Sequence, residues 1–258
     1  MKRFLIILIL LFSYDAYSQA AEDYRNLGRD KVKNGNYIEA ILDFTKAIEL
    51  KTSYASAYYE RAFAKAKIND NKGAIEDYSE FIKIVPDYAQ AYNNRGLAKR
   101  GTDERWINIL NDFDKAIELE PNNSDFYYNR ARSKMMKGLE EESAEDYNQA
   151  IEDFTMCIEI NPKDKLAWFY RGRTQLNKVD MRVDYYTSKF SSIRDFTQVI
   201  MLDPTYGRAY TNRAVARVKG ANKSYRKDRK LFKESCSDVR IGIRYGERAN
   251  DLIDKYCN

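Results

Sequence analysis

Histidine is absent from all 258 residues of the chain. Its absence removes the imidazole that acts as general base in serine and cysteine triads, as a zinc ligand and as an axial ligand to haem. Proline occurs 4 times and glycine 11 times, too seldom for the many tight turns of an all-β sandwich. Alanine, glutamate, lysine, leucine, isoleucine and tyrosine dominate the readable segments, which is a helical bias. Cysteine occurs 3 times, with no paired metal-binding spacing, and neither a phosphate-cradling glycine loop nor an activated nucleophile can be read. The expectation is a non-enzyme without cofactor, catalytic residue or metal site. An excess of one charge is lacking too: 44 basic against 39 acidic residues leave +5, so attraction of nucleic acid would need a local patch and none is expected as a partner. Present in quantity are hydrophobic residues at 44%, aromatics at 14% among them, enough for a packed core.

Long apolar runs are also missing. The longest opens the chain, Phe4 to Phe12, nine residues preceded by Lys2 and Arg3 and followed by the small residues of Ala16-Tyr17-Ser18-Gln19-Ala20. Nine residues rise only about 14 Å as a helix, against a hydrocarbon core of roughly 30 Å. The tripartite pattern reads as a secretory signal over residues 1–20, with cleavage after Ser18 or after Ala20 both open. The expected product is exported, periplasmic or secreted, with no stable membrane anchor after cleavage, since no cysteine near the cut could carry lipid.

The prolines reveal a repeat. Pro86, Pro121, Pro162 and Pro204 each end an apolar helical run, in FIKIVP, AIELEP, CIEINP and VIMLDP, because proline lacks the amide donor and disfavours helix in the residue before it. A second signature follows each: AYNNRGLAK from Ala91, FYYNRARSK from Phe126, AWFYRGRTQ from Ala167 and AYTNRAVAR from Ala209. AYYERAFAK from Ala57 and DYRNLGRDK from Asp23 bring the copies to six.

The pattern of an aromatic marker, a small residue four positions on, Ala and Phe on a second helix and a closing proline resembles the tetratricopeptide repeat family. The first copy reads Tyr24, Leu27-Gly28, Ala40, Phe44, Ala47 and Leu50; the later markers are Tyr58, Tyr92, Tyr127, Trp168 and Tyr210. The small position is filled by Gly28, Ala62, Gly96, Ala131, Gly172 and Ala214, which lets helix B of each unit approach helix A closely. The resemblance implies an all-α, right-handed superhelical solenoid of about six helix-turn-helix hairpins plus a C-terminal capping helix. The repeats are placed near 21–54, 55–88, 89–123, 124–164, 165–206 and 207–246, and the cap at 247–258. The fourth unit carries seven extra residues, so that Tyr147 and Phe154 compete for one slot, and two lengthened helices would absorb them. Further insertions fall around Asp180 to Lys189 and Ala221 to Lys230.

Cys236 on the last helix B and Cys257 on the cap stand 21 residues apart across one turn. They read as a disulfide in an oxidising compartment, or else as two small apolar packing residues. Cys157 occupies the slot of Ala47 and Ala116 and reads as a buried inert thiol.

The stacked arrangement implied by the resemblance puts helices A on the concave face, so the residues one and two after each marker are candidates for a peptide-binding groove. They include Arg25, Asn26, Tyr59, Asn93, Asn94, Tyr128, Asn129, Phe169, Tyr170 and Asn212, with Arg29, Arg132 and Arg173 five after the marker. An amide ladder could pair with an extended backbone and the aromatic rings could anchor side chains; local packing is the alternative. The family's two-carboxylate clamp of Lys, Asn and Arg is not reproduced, because Glu60 stands where it needs Asn. The basic run Lys223 to Lys233 reads as a solvated insertion or as a contact for an anionic surface. Taken together, the reading is a non-enzymatic protein-protein interaction scaffold holding a peptide segment or partner protein in the groove, or alternatively a periplasmic adaptor subunit of a cell-envelope assembly, secretion or motility complex.

Overall fold

The computed structural model describes residues 2–180, 185–219 and 229–257. Among them every regular element is a helix: α1 (Lys2–Lys33), α2 (Tyr37–Leu50), α3 (Ala55–Lys67), α4 (Asn71–Ile84), α5 (Ala89–Arg100), α6 (Trp106–Leu119), α7 (Ser124–Glu140), α8 (Ala144–Ile160), α9 (Lys165–Asp180), α10 (Tyr185–Leu202), α11 (Gly207–Val218), α12 (Arg229–Arg244) and α13 (Asn250–Tyr256). They fall into two compact units, Met1–Pro121 and Asn122–Asn258. The first holds hairpins α1/α2, α3/α4 and α5/α6; the second holds α7/α8, α9/α10, α11/α12 and then α13. Odd-numbered members are the helices A and even-numbered members the helices B.

The small position works as the spacing suggests. A Cβ on Gly28 would lie 2.6 Å from the Phe44 ring, and one on Gly96 or Gly172 would meet Phe113 or Phe196 at 3.0 Å. Each helix A is thereby seated on the aromatic of its own helix B. The marker ring performs a second task at the proline turn: the Tyr92 hydroxyl donates to the Pro86 carbonyl at 2.9 Å, Trp168 Nε1 to that of Pro162 at 2.9 Å, and the Tyr210 hydroxyl to that of Pro204 at 3.1 Å. The carbonyl left over where a helix stops is satisfied by the next helix to begin.

An arginine three residues after the marker ties the hairpins together. In unit 1, Arg61 forks onto Asp77 at 2.8 and 2.7 Å and Arg95 onto Asp112 at 3.0 and 2.7 Å. In unit 2, Arg130 binds Asp153, Arg171 binds Asp195 and Arg213 binds Asp238 in the same bidentate way. Each guanidinium also lies against its marker ring, at 5.6 Å for Tyr58 and 4.7 Å for Trp168. Nη1 reaches back to a hydroxyl on the preceding helix B, Thr45 for Arg61, Ser79 for Arg95, Thr155 for Arg171 and Thr197 for Arg213. One side chain therefore joins helix A, its own helix B and the previous hairpin, with geometry that only a planar fork provides. In four hairpins the aspartate has a second cation, Lys65, Lys99, Lys134 or Arg217. In the fifth, Gln175 stands at that position, and Asp195 is fully buried with Arg171 alone in contact. Burial pushes the Asp195 carboxyl up against the opposing pull of Arg171.

The fourth hairpin absorbs its extra residues in longer helices: α7 and α8 have 17 residues each, against 13 and 14 in α3 and α4. Tyr147 and Phe154 then occupy separate buried slots two turns apart, Tyr147 opposite Gly138. The fifth is lengthened likewise, with α9 of 16 and α10 of 18 residues. Residues 181–184 of its insertion and residues 220–228, which hold most of the sixth insertion and of the basic run from Lys223, lie outside the described residues.

At the C-terminal end Leu252 and Ile253 of α13 pack on Ala214, Val218 and Val239, and Ala249 is buried just before the helix. The Cα atoms of Cys236 and Cys257 are 5.0 Å apart, with the sulfurs in bonding contact, a separation that suits a disulfide. Cys157 is buried, its thiol donates to the Ser124 carbonyl, and burial pushes its pKa up.

Candidate functional site

Successive residues turn by about 100° around a helix. Counting from a marker, the small position four on faces helix B, and the arginine three on points toward the preceding hairpin. The residue one on leans toward the following hairpin. The positions two and five on are left to the open side of helix A. In agreement, no side chain at either of these positions is buried in any of the six hairpins.

In unit 1 this open side carries two adjoining hollows. One, of about 260 Å³, is lined by Arg29, Val32, Phe44, Tyr59, Glu60 and Phe63 among others. The other, of about 360 Å³, is lined by Phe63, Ala66, Tyr78, Asn94, Leu97 and Ala98, with Lys67 and Asn71 at its rim. Phe63 forms the wall between them, and Lys67 Nζ lies 5.0 Å from the centre of its ring. Glu60 is held by Arg25 at 2.9 and 2.8 Å and approached by Arg29 at 3.5 Å. Tyr59 packs on Phe81 with ring centres 5.1 Å apart and on Tyr88 at 5.5 Å, and its hydroxyl accepts from Asn94 Nδ2 at 3.0 Å. Burial pushes the Tyr59 phenol well above its usual range, so it stays a neutral donor and acceptor at the border between the hollows.

In unit 2 the same face is polar and aromatic. Tyr128 and Tyr170 meet edge to face with ring centres 5.9 Å apart. The Arg132 guanidinium lies 4.2 Å from the centre of the Tyr170 ring and donates through Nη1 to the Tyr128 hydroxyl at 3.3 Å. Arg173, on the next turn of α9 after Tyr170, is exposed.

Known proteins share this hairpin plan. The family sequence model described as Tetratricopeptide repeat matches residues 112–152. Over that stretch the chain is similar to tetratricopeptide repeat proteins. Over 56 residues it is 41% identical to the mitochondrial import receptor subunit TOM70 of Rattus norvegicus, a match covering 22% of this chain and 8% of the relative. Among solved structures it is similar to Pseudomonas aeruginosa pilF, with a TM-score of 0.63 at 16% identity over 94% of this chain and 95% of the other. It is also similar to YrrB, described as a TPR protein with an unusual peptide-binding site, with a TM-score of 0.61 at 20% identity over 83% of this chain and 98% of the other. At these identities the structural likeness concerns the fold.

Two of the expected groove residues of the tetratricopeptide array are inside it. Asn93 is 2% and Phe169 1% exposed; both stand one residue after a marker, and Phe169 packs against Phe196 of its own helix B and against Tyr206 just before α11. Nor do the asparagines form a free ladder. Asn94 donates to Tyr59 and accepts from Gln90 and Asn93, Asn212 donates to the Arg208 carbonyl of its own helix at 2.8 Å, and Asn129 is partnered within the fold. Asn26 is exposed. Arg25 is committed to Glu60 and Glu22. The structure brings Arg29, Tyr59 and Asn94 together in unit 1 and Tyr128, Arg132, Tyr170 and Arg173 in unit 2. Sequence reasoning missed Phe63 and Leu97, although they stand at the same five-residue offset as the arginines it singled out.

Proposed function

We propose that this protein is an exported scaffold whose helix A side in unit 1 holds an extended segment of a partner protein. The observation that carries the reading is the pair of hollows either side of Phe63, each large enough for one or two side chains and bordered by hydrogen-bonding groups on Tyr59 and Asn94. Apolar side chains of the segment seat in the hollows, where water is displaced from ring and methyl surfaces, and the polar rim holds the segment's backbone. The scaffold role is supported by the likeness to tetratricopeptide repeat proteins; the peptide mode and the compartment are the proposal. Export is supported by the apolar N-terminal run Phe4 to Phe12.

Selection of peptides from a random display library on the mature chain tests the mode. Phe63→Ala is expected to weaken a selected peptide at least about tenfold, equivalent to roughly 1.4 kcal/mol. Leu42→Ala, an exposed leucine on α2, is expected to leave binding unchanged. Equal affinities for wild type and Phe63→Ala would overturn the assignment.

A further inference from the structure

Three residues after the marker, α3, α5, α9 and α11 carry Arg61, Arg95, Arg171 and Arg213, and each of these reaches a hydroxyl on the preceding helix B. This column therefore lies on the stacking face, the side of helix A that receives the hairpin before it. In α1 the column holds Leu27. No hairpin among the described residues covers that side of α1. Tyr24 and Leu27, one turn apart on it, are both exposed, whereas the other five markers and the four arginines are buried or half-buried. With leucine in the column the fork is lost as well, and Asp43 turns to Lys31. An array end that meets only water needs a polar outer face. The C-terminal end has one: Leu252 and Ile253 of α13 cover Ala214, Val218 and Val239, and Asp251 and Asp254 are left exposed. The first hairpin does the opposite, presenting tyrosine and leucine where these later hairpins bury their stacking contact.

We infer that the outer side of α1 is a self-association surface, and that its occupant is the same side of α1 in a second copy of this chain. Continuity with the stacking inside the array makes the occupant a helix, since α3, α5, α9 and α11 each receive a helix B on this face. The two ends make it a copy of α1. Stacking of copies head to tail would need an open C-terminal end and would grow into filaments, and α13 closes that end. Like ends meet about a two-fold axis, which takes Tyr24 and Leu27 of both copies out of water and stops at the dimer. Leu27 is not at a position two or five after the marker, so the inference is independent of the proposed peptide groove.

Sedimentation velocity of the purified protein from about 1 to about 100 μM covers the affinities of weak homodimers. Wild type is expected to pass from monomer to dimer and to go no further. Leu27→Glu should weaken the dimer at least about a hundredfold, since the two-fold axis puts the new carboxylate into the interface twice. Leu27→Arg should weaken it likewise and still fold, because it supplies the cation that the other hairpins pair with the aspartate of helix B; thermal unfolding followed by circular dichroism checks the fold. Ile107→Glu, which changes an exposed apolar residue of α6 in the same way, should leave the dimer unchanged, and so should Phe63→Ala. A protein that stays monomeric throughout leaves the face to an unrelated partner and overturns the inference. Assembly that continues past the dimer, or an equal loss in Ile107→Glu and Leu27→Glu, overturns it too.

Discussion

Asp195→Ala is expected to lower the unfolding free energy by about 3–5 kcal/mol, read from the urea midpoint of the transition. The carboxylate is fully buried and receives Arg171 Nε and Nη2 at 2.8 Å each. Removing it leaves the buried Arg171 with the Thr155 hydroxyl and the Trp168 ring as its remaining polar and ring partners among the described residues. The cost is that of an unpaired buried charge, not of one lost hydrogen bond. The pair Arg171→Met with Asp195→Leu should recover most of the loss, because both desolvation costs disappear together. Asp77→Ala should cost less than Asp195→Ala. Arg61 and Lys65, which it strands, are each more exposed than Arg171. A loss under about 1 kcal/mol for Asp195→Ala, the size found for exposed pairs, would show that the arginine fork does not hold the hairpins together.

Loss of the Cys236–Cys257 bond is expected to cost about 3 kcal/mol, the chain-entropy value for closing a loop of this size. The two cysteines are separated by 21 residues, and a bond between them would fasten α13 over Ala214, Val218 and Val239. A seven-residue helix holds poorly by itself, so reduction should release it and raise amide exchange in α11 and α12 ahead of the rest of unit 2. Intact mass of the purified protein, alkylated before and after reduction, gives the direct check. Two thiols alkylated at Cys236 and Cys257 without reductant would contradict the pairing, and unchanged stability in a Cys236→Ala, Cys257→Ala double variant would contradict the magnitude.

The hairpin plan was legible because the prolines and markers recur in step with helices that have to stop and restart. Tyr92, Trp168 and Tyr210 each close the turn made by the proline six residues earlier, so both signatures report one local event. The orientation of helix A was less legible. Placing the groove one and two residues after the marker treats helix A as having one covered side. In the array it is covered on three, by its own helix B, by the previous hairpin and by the next. That is why Phe169 is buried while Phe63 and Leu97 reach the open side. The arginine of the recurrent Asn-Arg dipeptide carries its own signal, an aspartate just before each helix B aromatic, as in Asp77-Tyr78, Asp112-Phe113 and Asp195-Phe196. Reading the two columns together pairs them; reading either alone suggests only surface charge. Leu27 stands in the arginine column of the first hairpin and is 53% exposed, while Asp43 there turns to Lys31 at 2.7 Å.

Hydrogen exchange on the protein with and without a library-selected peptide tests the central claim most directly, because it reports which helices the peptide covers. The expected result is protection concentrated in α3 and α5, around Phe63 to Lys67 and Asn94 to Ala98, with α4 and α6 unchanged. Protection confined to the helices B, or spread evenly over unit 1, would contradict a binding surface formed by the helix A side.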